Sequence, residues 1–288
     1  MYRRTTMKHQ LTQQHLQEFA DYLKNCEKQP QTISKYVRDC TMLLQYLGEK
    51  SLDKIALLEY RDHLKTQNYK VASINASVSS INTLVDFLGW GECRIKRLTV
   101  QSKNYNNQEE LLTRDEYIRL LRAAKGRPRM LLMLQTICST GIRVSELQYF
   151  TLQSAFSGKV VVTNKNKTRT ILLPDALRKR LYNYCKQNKI YGNVFVSRYG
   201  KPLDRCNIWR GMKGLAKRAK VNPVKVYPHN LRKLFARSYY AIDRDIATLA
   251  DILGHSNINT TRIYIRNTDR EHLRKINKMK LVMKSKDL

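Results

Sequence analysis

Apolar residues recur at three- and four-residue steps through the first third of the chain, which is the spacing of amphipathic helices. Two of these series end at Gly48 and Gly89, and glycine is common just beyond the last turn of a helix. Four helices are predicted, over residues 12–25, 33–47, 54–67 and 74–88. Together they predict a helical domain over residues 1–98.

The periodic pattern stops over residues 99–112, where amides replace most of the large apolar side chains. This composition predicts an extended linker. Thr113 and Glu116 then match the T-x-x-E pattern, in which each side chain caps the other residue's backbone N–H at the start of a helix. A second domain is therefore predicted over residues 113–288.

The second domain mixes two periodicities. A nearly continuous apolar run over 130–137, closed by Gly141, predicts a buried helix. Two β-rich runs, 159–163 and 169–173, flank an amide- and lysine-rich turn over 164–168 and predict a hairpin. The remainder is helical again. The expected fold class is mainly α with a small antiparallel β-sheet, an α+β domain that follows an all-α one.

The charge balance adds a constraint on the partner. Lys and Arg number 54 against 23 Asp and Glu, a formal net charge of +31 with a pI near 10.1. Because an excess of this size repels itself in the folded state, a polyanionic partner is expected. An anionic membrane surface is the alternative, but the chain has no run of roughly 18 apolar residues and no lipidation signal. Nucleic acid is therefore the expected partner, and a membrane is not.

The six cysteines are scattered singly and form no C-x-x-C pair, so no metal site is expected. The basic amino-terminal stretch has no apolar segment behind it and does not resemble a signal peptide. Unpaired cysteines and the missing signal pattern predict a cytoplasmic protein.

Arg143 stands at a predicted corner of the second domain. The buried helix ends at Gly141, and Ser145 is expected to cap the next helix. A guanidinium fixed at such a corner presents a planar fork that matches phosphate oxygens. A salt bridge between Arg143 and Glu146 is the alternative, and this motif alone does not decide between them.

His229 and Arg232 follow Pro228, which suits the first position of a helix. Their spacing puts both side chains on one face of the first turn, where free backbone N–H groups also attract anions. A phosphate site and an ordinary surface helix both fit this motif.

Two further motifs carry reactive side chains. Gly254 ends a helix and leaves His255 on a turn, and Tyr264 lies on the short helix that follows. Most tyrosines pack in cores or contact phosphates, so Tyr264 alone indicates little. The hairpin tip carries Lys165 and Lys167, which taken alone are typical of solvated charge.

Together these side chains supply the parts for transesterification at a phosphodiester. Paired guanidiniums stabilise the charge that an in-line attack places on the nonbridging oxygens. A phenol with an ordinary pKa of about 10 needs a base or cationic surroundings to attack at neutral pH. The departing oxygen needs a proton, which a lysine can donate.

Over nearly its whole length the chain resembles the tyrosine recombinases, the phage-integrase family. Residues 140–147, TGIRVSEL, resemble the first arginine motif of that family, and 229–232 resemble its H-x-L-R motif. Residues 253–256 and 260–264 resemble its L-G-H-x and T-x-x-Y pair. The layout is most similar to the Xer-like branch.

The resemblance implies a function and a role for each matched residue. The chain is expected to cut and rejoin duplex DNA site-specifically through a 3′-phosphotyrosyl intermediate, in DNA integration and excision or in dimer resolution. Arg143 and Arg232 are expected to clamp the scissile phosphate, which Tyr264 attacks. His229 is expected to assist proton transfer, and His255 to hydrogen-bond a phosphate oxygen. Because the phosphotyrosine retains the energy of the broken bond, no metal, ATP or other cofactor is expected.

Lys165 is the expected general acid, and Lys167 is the alternative. Relatives often carry this lysine in a G-K-G turn, and shifting the alignment by two residues exchanges the two candidates. Glu146 is expected to orient a partner rather than to carry a proton. Lys233 stands where many relatives have a second histidine, and it still offers a cationic donor.

The resemblance also implies an assembly. The helical domain would be a core-binding, SAM-like DNA-binding domain that forms a C-shaped clamp on duplex DNA with the catalytic domain. Relatives act on two DNA sites as tetramers, so a homotetramer is expected. A carboxy-terminal helix over 270–282 would dock onto a neighbour or pack on its own domain.

Two other functions fit part of the pattern. A type IB-like topoisomerase shares the tyrosine chemistry but relaxes supercoils as a monomer, and the R-V-S-E-L match argues against it. A non-catalytic or decayed integrase-like DNA-binding protein is the other alternative. The side chains at every expected catalytic position argue against that one.

Overall fold

The computed structural model describes residues 8–99, 110–164, 167–197, 199–265, 273–274 and 277–279. The chain divides into two compact units, residues 1–102 and 103–288. Most of the predicted linker over 99–112 and of the predicted carboxy-terminal helix over 270–282 lies outside the described residues.

Four helices build the first unit: α1 (Gln13–Asn25), α2 (Pro30–Leu47), α3 (Lys54–Thr66) and α4 (Val71–Phe87). Each lies within one turn of the helix that the hydrophobic spacing predicts. Their apolar faces meet in one core, in which Phe19, Leu43 and Ile81 are fully buried. Burial of each such side chain stabilises the unit by about 1.5–3 kcal/mol, so the core rather than helix propensity holds these helices together.

The second unit begins with the predicted capping box, ahead of helix α5 (Arg114–Ala123). Glu116 N donates to Thr113 Oγ1 over 3.2 Å, and Thr113 N donates to the Glu116 carboxylate over 2.8 Å. The same carboxylate accepts a hydrogen bond from Lys225 Nζ over 2.9 Å. The helix start is thus fixed both locally and by a residue much later in the chain.

Helix α6 (Pro128–Thr140) is the predicted buried helix, and it ends at Gly141 with φ +64°. A methyl group built on Gly141 would lie 2.3 Å from Phe235 Cδ1, so both the backbone angle and the space require glycine. A 3-10 helix, Val144–Tyr149, and the short helix α7 (Leu152–Ser157) follow.

The hairpin consists of β1 (Lys159–Asn164) and β2 (Lys167–Leu172), which pair antiparallel. The pairing continues through Asn164 and Lys167, so the predicted turn over 164–168 was too long. Thr163 and Thr168 face each other with their hydroxyls 3.2 Å apart. This cross-strand pair favours the ladder at Thr168, which was predicted to lie in the turn.

Five more α-helices follow in the described part of the second unit: α8 (Asp175–Gln187), α9 (Arg205–Arg218), α10 (Pro228–Ile242), α11 (Ile246–Leu253) and α12 (Ile258–Ile265). Helix α10 packs against α6, α11 and α12. The fold is mainly α with a small antiparallel β-sheet, as predicted. In the part of the chain that the structure describes, the helices lack the length and apolar character needed to cross a bilayer.

Candidate active site

Arg232 lies one turn into α10 and is among the most buried side chains of the second unit, with 1% of its surface exposed. Its Nη1 donates to Gly141 O over 2.5 Å, and its Nη2 donates to Leu253 O over 2.6 Å. These carbonyls end α6 and α11, where helix dipoles favour a cation and backbone acceptors lack partners. The guanidinium therefore ties the ends of two helices together beneath the site.

Arg143 contacts the glycine that follows α11, and its side chain is one-third exposed. Its Nη2 donates to Gly254 O over 3.1 Å, and its Nη1 donates to Glu146 Oε1 over 3.2 Å. The salt bridge to Glu146, posed as the alternative to a phosphate-binding role, is therefore present. A guanidinium has five N–H donors, so these two bonds leave others for an anion.

Glu146, and not Ser145, caps the 3-10 helix that follows Arg143. The Arg143 backbone N–H donates to Glu146 Oε2 over 2.7 Å, while Ser145 lies inside the helix. The prediction that Ser145 caps the helix was wrong. The Glu146 carboxylate, three residues after Arg143, accepts the hydrogen bond from the Arg143 N–H instead.

A second arginine also holds Glu146. Arg169, on β2, donates to both carboxylate oxygens over 2.9 and 2.8 Å, and only 2% of the glutamate side chain is exposed. Burial alone would raise the pKa of Glu146, but the hydrogen bonds from Arg169 and the Arg143 backbone outweigh it and lower that pKa. Glu146 is therefore a carboxylate at neutral pH.

The sequence interpretation did not include Arg169, although the hairpin carried a signal for it. Arg169 pairs with Val162 across the ladder and lies two residues before Ile171. Val162 and Ile171 are both buried, so Arg169 occupies the apolar face of the hairpin. A charged residue in that alternating pattern indicates a buried partner.

His255 follows Gly254, which adopts φ +64° at the end of α11. Its Nε2 lies 2.9 Å from Arg232 Nη2, and its Nδ1 lies 2.8 Å from Thr261 Oγ1. Burial and the nearby Arg232 and Arg143 lower the pKa of His255 to about 4. The ring is therefore neutral, and because a guanidinium only donates, Nε2 accepts and Nδ1 carries the proton.

Tyr264, on α12, lies between two histidine rings and is 5% exposed. The rings of His229 and His255 each lie 5.1 Å from its ring, centroid to centroid, at 88° and 82°. Burial, with the nearby Lys233 and Arg232, lowers the pKa of His229 to about 4. The phenol thus lies between two neutral imidazoles.

Five of the six predicted site residues come together in the second unit: Arg143, His229, Arg232, His255 and Tyr264. The sixth, Lys165, lies outside the described residues. Lys167, its alternative, begins β2, where its backbone pairs with Asn164. The Lys233 pKa is lowered by burial, while Glu110 acts in the opposite direction.

The charges in this cluster suit an anion. Arg143, Arg169 and Arg232 converge there, and Glu146, which accepts hydrogen bonds from Arg143 and Arg169, is the acid beside them. Although burial and Arg143 lower the pKa of Arg232 to about 10, it stays charged at neutral pH. The cluster therefore retains a positive excess that the single negative charge of a phosphate diester would partly neutralise.

Within the described ranges, possible metal ligands converge in the first unit, at His9, Glu92 and Cys93. His9 Nε2 already donates to Glu92 Oε1 over 2.6 Å, and the His9 ring stacks on Trp90 at 4.4 Å. None of these residues belongs to the cluster around Tyr264.

Comparison with known proteins identifies the class. The model of the phage integrase family matches residues 110–271, and that of the phage integrase N-terminal SAM-like domain matches residues 16–92. The chain belongs to the phage integrase family, as its motifs predicted. It is a site-specific tyrosine recombinase enzyme.

Among its relatives are two Xer proteins. Tyrosine recombinase XerA of Thermococcus kodakarensis is 30% identical over 281 residues, which cover 93% of this chain and 96% of the relative. Tyrosine recombinase XerD of Oceanobacillus iheyensis is 30% identical over 257 residues, which cover 81% and 86%.

Solved structures share the fold. A lambda integrase (75–356) dimer bound to a COC′ core site matches with a TM-score of 0.73 at 18% identity, covering 92% of this chain and 97% of that one. XerH bound to its difH substrate in a pre-cleavage complex matches with a TM-score of 0.67 at 19% identity, covering 93% and 84%.

Proposed function

We propose that this chain cuts duplex DNA at a specific sequence by forming a 3′-phosphotyrosyl bond through Tyr264, and then rejoins the strand to a new partner. The observation that carries the proposal is the position of Tyr264, between His229 and His255 and beside the arginine pair. A tyrosine that only packs in a hydrophobic core is surrounded by apolar side chains, not by two neutral imidazoles and a buried guanidinium.

Arg143 and Arg232 bind the scissile phosphate. Attack at phosphorus gathers negative charge on the two nonbridging oxygens, and fixed guanidiniums stabilise that charge without reorganising. Arg232 is held by Gly141 O, Leu253 O and His255, so its position is set before DNA binds. Arg143 keeps an exposed edge through which an oxygen can bind.

The nucleophilic step exchanges one phosphate ester bond for another. The Tyr264 oxygen bonds to phosphorus as the bond to the 5′ oxygen of the next nucleotide breaks, and the phenolic proton moves to His229. At neutral pH the His229 imidazole is neutral and offers a nitrogen that can accept this proton, and its lowered pKa makes it a weak base. The reverse reaction, with the 5′ hydroxyl of another strand as nucleophile, releases Tyr264 and joins the strands.

His255 acts through Arg232 before it can act on DNA. Both of its ring nitrogens are engaged, by Arg232 and by Thr261. The hydrogen bond to a phosphate oxygen that the family motif implies needs one nitrogen to be released. His255 therefore fixes Arg232 in the free protein. It can donate to the phosphate once its hydrogen bond to Thr261 is broken.

The leaving 5′ oxygen takes a proton from the hairpin, for which Lys165 is our candidate and Lys167 the alternative. Lys165 precedes β2, the strand that also carries Arg169.

Recombination needs two cleaved duplexes, so we propose a homotetramer on two recombination sites. A lambda integrase tetramer bound to a Holliday junction has the fold of this chain at a TM-score of 0.71. The SAM-like first unit would bind DNA together with the second, and the net charge of +31 supports this. All six cysteines are free thiols, which supports a reducing cytoplasmic setting.

Covalent capture tests the proposal and identifies the cleaved sequence in the same experiment. A library of nicked duplexes with a randomised central segment is incubated with wild type and with Tyr264→Phe, and the protein–DNA adducts are isolated and sequenced. Wild type should yield adducts that converge on one sequence, whereas Tyr264→Phe should yield none.

The same samples discriminate the alternatives. Adducts that persist in Tyr264→Phe would disprove the nucleophile. Adducts of random sequence, with relaxation of supercoiled plasmid, would indicate a topoisomerase. DNA binding without any adduct would indicate a non-catalytic protein.

A further inference from the structure

We propose that Arg169 is a positioning residue for the cleavage step, which fixes Arg143 through Glu146 and couples the β-hairpin to the phosphate clamp. This inference rests on the proposed function of the same site. Arg169 itself need not touch DNA, so it is not proposed as a catalytic residue.

The first link is the contact between Arg169 and Glu146. Two parallel hydrogen bonds of 2.9 and 2.8 Å join the guanidinium to the carboxylate, in the bidentate geometry that fixes both groups most tightly. The Arg169 side chain is 16% exposed, so water competes little for these bonds. Lysine, with a single ammonium, cannot reproduce the pair.

The second link runs from Glu146 to Arg143. Glu146 Oε2 accepts from the Arg143 backbone N–H over 2.7 Å, and Oε1 accepts from Arg143 Nη1 over 3.2 Å. Each oxygen is thus shared between Arg169 and Arg143. Loss of Arg169 would leave a buried carboxylate with half of its donors, and it would rotate or take up a proton. Either change moves the Arg143 guanidinium.

The third link is the close packing of Arg169 on the turn before His255. A methyl group built on Gly254 would lie 2.8 Å from Arg169 Nη1, so the guanidinium lies directly against that glycine. The Gly254 carbonyl accepts from Arg143 Nη2. Arg169 therefore contacts both structures that hold Arg143, the carboxylate and the turn.

The position of Arg169 on β2 extends the coupling to the hairpin. Arg169 lies two residues beyond Lys167, the first residue of the strand. A strand anchored this way holds the hairpin to the segment that carries Arg143.

The test measures single-turnover cleavage at saturating DNA, on the duplex selected by covalent capture. Arg169→Gln should cleave about 10- to 100-fold more slowly, the scale expected when a reacting group is displaced by about 1 Å. Its Kd for the duplex should stay within about twofold, since phosphate contacts made elsewhere dominate affinity. Arg169→Lys should keep the charge and still lose most of the rate.

A methylphosphonate at the scissile position separates positioning from loosened packing. Replacing one nonbridging oxygen by methyl removes the negative charge that Arg143 stabilises. The defects of Arg169→Gln and Arg143→Ala should therefore both shrink on this substrate. Ile171→Ala, which removes a buried apolar side chain on the same face of the same strand, is the matched control and should not be rescued.

Two results would overturn the proposal: an unchanged cleavage rate in Arg169→Gln, or a defect that the methylphosphonate leaves as large as before. A double-substitution cycle adds a second criterion, because Arg169→Gln and Glu146→Gln should be strongly non-additive if they act through one contact.

A measurement on the protein alone keeps the inference testable if wild type forms no adduct, the result that would refute the proposed function. NMR spectra of the arginine guanidinium groups, assigned with Arg143→Lys, report rotation about the Nε–Cζ bond of Arg143. Rotation should be restricted in wild type and faster in Arg169→Gln. Identical Arg143 signals in the two proteins would refute the positioning role, whatever the chain does to DNA.

Discussion

Arg232 donates a hydrogen bond from Nη2 to the Nε2 atom of His255 over 2.9 Å, and this contact fixes the proton of a neutral imidazole on Nδ1. His255 also donates a hydrogen bond from Nδ1 to Thr261 Oγ1 over 2.8 Å. One histidine thereby links the buried guanidinium of α10 to the helix that carries Tyr264.

This geometry predicts different effects for the two amides that can replace His255. The glutamine side-chain oxygen reaches the position of Nε2 and can accept from Arg232, whereas asparagine reproduces only the Nδ1 side. His255→Gln should therefore cleave within about 10-fold of wild type, while His255→Asn should lose about 10²- to 10³-fold, the scale for loss of a group that stabilises the transition state. Single-turnover cleavage of the selected duplex measures both. Faster cleavage by His255→Asn than by His255→Gln would contradict the assigned tautomer.

Substitution of Arg232 should destabilise the second unit more than substitution of Arg143. Arg232→Met leaves the carbonyls of Gly141 and Leu253 buried without donors, at about 1–3 kcal/mol each. Arg143 is one-third exposed, so Arg143→Met should lower the free energy of unfolding by about 1 kcal/mol or less. Both substitutions should abolish cleavage.

Urea unfolding followed by the fluorescence of Trp209, in a Trp90→Phe background, reports on the second unit alone. Equal losses of stability in Arg232→Met and Arg143→Met would mean that the buried contacts of Arg232 do not hold α6 and α11 together. A third variant, Arg180→Met, controls for the loss of an exposed arginine, since Arg180 contacts Gln135 at the surface.

Local chemistry predicted the elements around the site well. The ends of α6 at Gly141 and of α11 at Gly254, and the start of α10 at Pro228, depend on neighbours within one helical turn. Backbone preferences of glycine and proline are enough to indicate them. The roles of the matched residues came from the family motifs, because the same side chains fit a salt bridge or a surface helix.

The hydrophobic periodicity of the sequence does not predict contacts between residues that are far apart along the chain. Arg169 lies 23 residues after Glu146, and only the register of the hairpin brings them together. The helix-start motif fitted a phosphate site and a surface helix equally, and it did not predict that two helix ends bury Arg232 almost completely. Which acceptors surround an arginine depends on how three helices pack, and the hydrophobic pattern of each helix does not contain that geometry.

Acid should destabilise the second unit through its two site histidines. Their pKa values are lowered to about 4 in the folded chain, against about 6.5 when unfolded. Between these values the unfolded chain binds protons that the folded chain does not, so stability rises with pH across that window. The contribution is complete above pH of about 6.5 and is lost as the pH falls towards 4.

Urea midpoints of the second unit between pH of about 5 and 7 measure this effect. The double variant His229→Gln/His255→Gln should show a shallower slope than wild type, because it lacks both titrating groups. A slope that the double variant leaves unchanged would assign the acid sensitivity to the carboxylates instead.

A substrate whose leaving group needs no proton can identify the general acid. A 5′-bridging phosphorothiolate replaces the departing oxygen with sulfur, and a thiolate leaves without a proton because a thiol has an ordinary pKa of about 8.5. Lys165→Ala should therefore slow cleavage of the normal duplex by about 10²- to 10⁴-fold and recover on the sulfur substrate. Lys167→Ala should lose little on either, since the backbone of Lys167 is held in the ladder by its pairing with Asn164. Rescue of Lys167→Ala, with no defect in Lys165→Ala, would exchange the two assignments. A defect in either variant that sulfur does not relieve would mean that the lysine binds DNA rather than donating the proton.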